Sequence, residues 1–267
     1  FVKRDIRHLM SAAEEMKILN LGGTASGNTI NATPEYLENI TAFVSEEVGI
    51  AFTQADDLFD ATQNVDGFVR VSAAIKTAAV NLSKMSNDLR LLSSGPKAGI
   101  GEINLPAKQN GSSIMPGKVN PVIPEVVSQV AFRVIGNDLT ITMAAESGQL
   151  ELNAFEPIIF HSLFESIDCL THAVATLTAN CITGIQANEM ICYKQVEESA
   201  GIATALCPTI GYQKASAIAK ESLETGKTVR ELVLEKGLLT IAETDSILDL
   251  KHMAGIPAAI LLRDKVI

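Results

Sequence analysis

The residues best suited to chemistry lie close together between positions 111 and 125, in the string GSSIMPGKVNPVIPE. Two glycines, Gly111 and Gly117, let backbone amides approach a ligand, and a helix beginning at Pro121 would point the positive end of its dipole at the same place. Such a segment suits an anion. Lys118 offers full positive charge, Asn120 a directed N–H donor, and Ser112 and Ser113 two hydroxyls. The same residue types also build a plain connector, with Lys118 solvated and the serines turning the chain. Spacing alone leaves both readings open.

Elsewhere the sequence mostly excludes. Asp and Glu number 31 against 21 Lys and Arg, a net charge of -10, and no basic tract interrupts the surplus, so nucleic acid and anionic membranes are not expected partners. No apolar run reaches the roughly 18 residues that a bilayer span needs, and no signal-peptide pattern is present, which predicts a soluble protein. Cys169, Cys181, Cys192 and Cys207 form no CxxC pair and read as reduced, cytoplasmic cysteines. No His, Cys and carboxylate group has ligand spacing, so no catalytic metal is expected. His161 and His172 fall in helical text and read as packing or capping residues. Gly22 to Gly27 has no recognisable strand before it, which argues against a dinucleotide loop.

The elements that must position the 111–125 segment are long helices. Phe68, Val71, Ile75, Ala78, Leu82, Met85, Leu89 and Leu92 recur at spacings of three and four, a heptad seam that predicts a rod of roughly 40 Å. A second rod is expected from Pro121, with Asn120 as its N-cap and apolar residues on more than one face. A third should run from about Pro157, with Ile159, Leu163, Ile167, Leu170, Val174 and Leu177 on one stripe. Thr33-Pro34-Glu35 predicts a shorter helix after the GGTASGN loop. Past Gly184 the patterns shorten, separated by Pro208, Gly226, Gly237 and Thr240. The expectation is an all-α chain with a long-helix bundle over 1–185 and a small helical domain over 186–267. Stripes this broad predict oligomerisation through the bundle.

The 111–125 string also closely resembles the signature of the fumarase/aspartase superfamily, GSSxMPxKxNPxxxE, and matches each fixed position of it. The resemblance extends through NLGGTASGN, NATPEY, DATQN, NDLRLLSSGP, EINLPAKQ, VIGNDLTITMAAESGQLELNAFEP and TGKTVRELVLEKGLLT. Within the superfamily, VIPEVVSQVAF and GQLELNAFEP look like the aspartate ammonia-lyases, whereas class II fumarases tend toward TQCEA and FKP at these places. The implied reaction is reversible deamination of L-aspartate to fumarate and ammonia, without a cofactor.

By that resemblance Ser112 is the general base that removes the Cβ proton, and Ser113, Lys118 and Asn120 bind the substrate carboxylate. That carboxylate takes up the carbanion charge as an aci-form, where charge-assisted donors act most strongly. A serine is a weak base unless its alkoxide is stabilised, so closure of the loop should gate the reaction. For Glu125 two readings stand: a structural acid that partners a site histidine, or a first-turn glutamate favoured by the helix dipole. None of His8, His161, His172 and His252 lies in a GRTH-type string, and nothing matches the segments that grip the other carboxylate and the amino group. The expectation is a partial site, inactive alone, completed by a separate amino-terminal segment and by neighbouring subunits of a homotetramer. Rival readings are a class II fumarase, another fumarate-producing lyase, or a non-catalytic helical fragment of such an enzyme.

Overall fold

The computed structural model describes residues 1–109, 111 and 114–255. The chain is all-α, its strands only two residues long, and it divides into two compact units, Phe1–Gln186 and a second beginning at Ala187.

The first unit comprises α1 (Val2–Glu15), α2 (Pro34–Val48), α3 (Leu58–Gln63) and three rods, α4 (Asp66–Leu92), α5 (Val122–Glu146) and α6 (Glu156–Leu177). The rod α5 packs against both α4 and α6, and α1 packs against α4. Ile75 and Ala78 of the α4 seam are buried with Ala79, Val134, Ile141, Ile159, Leu163 and Leu170. A second cluster joins Leu82, Met85 and Leu89 to Val127, Ala173, Leu177 and Cys181. Burial pushes the Cys181 thiol above its ordinary range, as suits an inert packing residue.

Polar residues cross-link the rods where their periodicity carries no apolar signal. Asp138 on α5 accepts from Ser72 Oγ at 2.8 Å and from Lys76 Nζ at 2.6 Å, both on α4. Asn137 Nδ2 donates to Glu165 Oε2 at 2.7 Å, and Arg133 Nε reaches the same carboxylate at 2.9 Å. These two donors, Asn137 first, hold Glu165 below the usual carboxylate range. A buried carboxylate such as Asp138 is tolerated because its oxygens are paired and hydrogen-bonded.

Local signals set the helix starts. Thr33 caps α2 by accepting the Tyr36 N–H at 3.2 Å, with Pro34 in the first turn, and Gly49 closes it at φ 72°. Pro157 sits in the first turn of α6. The start of α5 differs from expectation: Pro121 is its N-cap, and Asn120 lies one residue earlier with its side chain turned away from the helix. A strand does precede Gly22, contrary to expectation. It is β1 (Ile18–Leu19), parallel to β2 (Thr53–Gln54), and two residues are too few to show a period. The loop after it serves packing, since a Cβ on Gly27 would lie 2.4 Å from Phe59 Cα of α3.

The α6 stripe is only half buried. Ile159, Leu163, Leu170 and Leu177 face the core, while Ile167 is 43% and Val174 41% exposed. On α5, Phe132, Ile135, Leu139 and Met143 form a second open apolar row at spacings of three and four, with Phe132 64% and Leu139 61% exposed. The two histidines of α6 do not pack: His161 and His172 are exposed, and His172 Nδ1 lies 2.8 Å from the Asp168 carbonyl of its own helix. Their long helix was legible, but not the face on which they fall.

The second unit holds α7 (Glu189–Glu197), a tight 3₁₀ stretch over Ala200–Leu206, α8 (Cys207–Ile210), α9 (Tyr212–Thr225), α10 (Val229–Glu235), α11 (Ile241–Ile247) and α12 (Leu250–Met253). Leu206, Ile218, Val229, Leu232, Val233 and Leu248 form its core. Gly226 and Gly237, at φ 72° and 58°, follow the ends of α9 and α10, and Thr228 and Thr240 open α10 and α11 with capping boxes. Pro208 does not separate helices as expected. It lies in the first turn of α8, where its missing N–H costs nothing.

Candidate active site

The connection from α4 to α5 carries the signature residues. It folds back at once, the Glu102 N–H reaching the Leu92 carbonyl at 2.9 Å, and passes through a strand, β3 (Ile103–Asn104). From Gly111 to Asn120 it closes on itself. The Gly111 N–H donates to the Lys118 carbonyl at 2.8 Å, the Lys118 N–H to the Met115 carbonyl at 3.3 Å, and Asn120 Nδ2 to the Gly111 carbonyl at 3.2 Å. Gly117 takes φ 78° at the turn, in open space.

This closure brings Lys118 and Asn120 together. The Lys118 side chain is exposed, and among the described residues no carboxylate pairs with it, so its charge is available to an incoming anion. Asn120 is half-buried and already donates one N–H inward; its amide carries a second. The helix start contributes a dipole more than a row of amides. Pro121 and Pro124 have no N–H, the Val122 N–H is taken by the Asn120 carbonyl at 2.9 Å, and that of Glu125 by the Pro121 carbonyl at 3.2 Å. Ser112 and Ser113 lie outside the described residues.

Glu125 stands apart from that pair, in the first turn of α5. Its ion-pair partner is Arg90, in the last turn of the antiparallel α4, with Nη2 3.8 Å from Oε1 and both side chains more than a third exposed. A pair this long and open contributes little to stability. It places Glu125 in the first turn of α5 beside a cation of this chain, and both readings of Glu125 are compatible with that position. The sequence reading passed over Arg90; the available signal was a cation in the last turn of the rod that leads into the loop.

Among the described residues no three His, Cys, Asp or Glu side chains are grouped to hold a metal ion, and no helix is long and apolar enough to cross a membrane. All four cysteines are free thiols. Among its described residues the loop offers an exposed cation, a side-chain amide and a helix start, groups that suit an anion.

The chain is similar to several known proteins. Residues 1–136 match the family model described as lyase, and residues 202–255 the one described as fumarase C C-terminus. The aspartate ammonia-lyase of Helicobacter pylori is 52% identical over 252 residues, 94% of this chain and 54% of that protein. The aspartate ammonia-lyase of Bacillus subtilis is 47% identical over 248 residues, 93% of this chain and 52% of that protein. The chain thus spans about half the length of the curated relatives it matches. Among solved structures, a fumarate lyase:delta crystallin from Brucella melitensis superposes with a TM-score of 0.91 at 49% identity, covering 96% of this chain and 55% of that one. A class II fumarase from Schistosoma mansoni gives 0.88 at 31% identity, covering 92% and 55%. With the lyase model spanning residues 1–136 and half of all positions shared with such relatives, the chain belongs to the lyases of the fumarase/aspartase superfamily.

Proposed function

We propose that this chain supplies the signature-loop half of an aspartate ammonia-lyase site, in a protein that converts L-aspartate reversibly to fumarate and ammonia. The observation that carries the reading is the closed loop in which Lys118, free of carboxylate partners among the described residues, stands beside Asn120. Identity near 50% to enzymes of that name, against 31% to a class II fumarase structure, favours ammonia over water as the leaving group.

In this reading Lys118 and Asn120 clamp one carboxylate of the substrate. As the Cβ proton leaves, charge flows into that carboxylate, and a cation with a directed N–H stabilises the aci-form more than the ground state. Ser112 takes the proton and Ser113 adds a hydrogen bond. Glu125 serves the helix start, held beside Arg90.

None of His8, His161, His172 and His252 lies in a GRTH-type string, and the chain spans about half the length of its relatives, so the remaining site residues are assigned to amino-terminal sequence outside these residues and to neighbouring subunits of a homotetramer. The open row Phe132, Ile135, Leu139 and Met143 is the surface through which copies associate. Free thiols and an acidic surface fit a cytoplasmic setting.

The reading is tested by exchanging this chain for the matched part of the Helicobacter pylori enzyme and following fumarate release from L-aspartate. Ser112→Ala in that exchange should lower kcat by about 10²-fold or more, the usual contribution of a general base. An unchanged rate would remove Ser112 from that role.

A further inference from the structure

Gly111 and Lys118 meet more closely than a carboxylate clamp alone requires. A Cβ on Gly111 would lie 2.5 Å from the Lys118 carbonyl oxygen, 2.7 Å from its carbon and 3.0 Å from the Val119 nitrogen. These are backbone atoms, with no flexible end to swing aside. Close approach alone therefore calls for a glycine at 111. Both its polar groups are engaged in the same clasp, the N–H with Lys118 and the carbonyl with Asn120.

We propose that Gly111 is a positioning residue for Lys118: the clasp fixes the lysine backbone, and with it the point from which the ammonium group meets an anionic carboxylate. The proposal rests on the reading of Lys118 as a carboxylate clamp. A side chain at 111 forces the two strands of the loop apart by several tenths of an ångström to about 1 Å, a displacement that costs heavily where a charged donor must be aligned. Asn120 acts twice, with one N–H closing the clasp and the other left for the ligand.

The test is a double-substitution cycle read by fumarate binding, followed by calorimetric titration, in the chain exchanged into the Helicobacter pylori enzyme, where the rest of the site is present. Lys118→Ala should weaken fumarate roughly ten- to a hundredfold and Gly111→Ala about tenfold, as expected for a lost or misdirected charge-assisted hydrogen bond. The double variant should bind no more weakly than Lys118→Ala alone, because Gly111 acts through the lysine. Gly117→Ala strains the same loop in open space, so its smaller loss should add to that of Lys118→Ala. Wild-type affinity in Gly111→Ala, or losses at 111 and 118 that simply multiply, would overturn the positioning role while leaving the clamp in place. Fumarate binding that ignores Lys118→Ala, or is absent from the unsubstituted exchanged enzyme, would instead remove the clamp reading, and this proposal with it.

Discussion

The rods of the first unit and the core of the second bury their apolar residues in different ways. In the second unit Leu206, Ile218, Leu232 and Val233 are at most 1% exposed, closed over by short helices with capping boxes at α10 and α11. In the first, Phe132, Leu139 and Met143 of α5 and Phe164 of α6 are more than half exposed although they belong to the longest helices. A short-helix unit can wrap its own core. A bundle of rods has more faces than one chain can cover, and it leaves a surface of the kind that copies share.

The largest effect expected from this contrast is at Leu232. Leu232→Ala removes a side chain with no exposed face and should destabilise the second unit by about 2–5 kcal/mol, measured as a lowered denaturant midpoint. Leu139→Ala, on the open row of α5, should leave single-chain stability within about 0.5 kcal/mol and act on assembly instead. Loss of a buried leucine across the shared face would weaken association by about 1.5–3 kcal/mol per copy, visible as a shift to smaller species in sedimentation velocity. A large drop in single-chain stability, with unchanged sedimentation, would reverse the comparison.

Smaller effects lie at the caps. Thr240→Ala removes the Oγ1 that accepts the Glu243 N–H, and should cost the second unit about 1 kcal/mol by thermal unfolding. The smallest effect is in pH. Glu231 and Glu243 are held below the ordinary glutamate value, first by the backbone N–H groups of Thr228 and Thr240 and then by the threonine hydroxyls. Because the folded values are depressed, this stabilisation is complete above the ordinary glutamate value of about 4.3 and disappears as pH falls through the lowered ones. Unfolding of the second unit should therefore ease below about pH 4, less so in Thr240→Ala, and an equal pH slope in both proteins would discount the capping boxes.

Much of the rod architecture was legible because burial repeats with the helix. Ile75, Ala78, Ile159, Leu163 and Leu170 fall where spacing puts them, and Thr33-Pro34 and Gly237 mark ends by local chemistry. What spacing could not carry is polar burial. Ser72 and Asp138 are both buried, 66 residues apart in sequence, and satisfy one another, with Lys76 on the second carboxylate oxygen. Nor could it distinguish a buried from an open apolar position: Ile167 and Val174 share one stripe of α6 with Leu163 and Leu170 yet stand open. In the loop, Asn120 looked like a helix cap because asparagine before proline usually is one. Its side chain instead closes the clasp onto Gly111, a contact across nine residues that no local preference announces. Lys118 and Asn120 were named from the motif, whereas the steric need for a glycine at 111 appears only once the Lys118 carbonyl is seen 2.8 Å from its N–H.

The most direct measurement compares L-aspartate with L-malate as sources of fumarate, using the chain exchanged into the Helicobacter pylori enzyme. Fumarate and an equal amount of ammonia are expected from L-aspartate, with negligible fumarate from L-malate. Fumarate from L-malate alone would contradict it and assign the loop to water elimination.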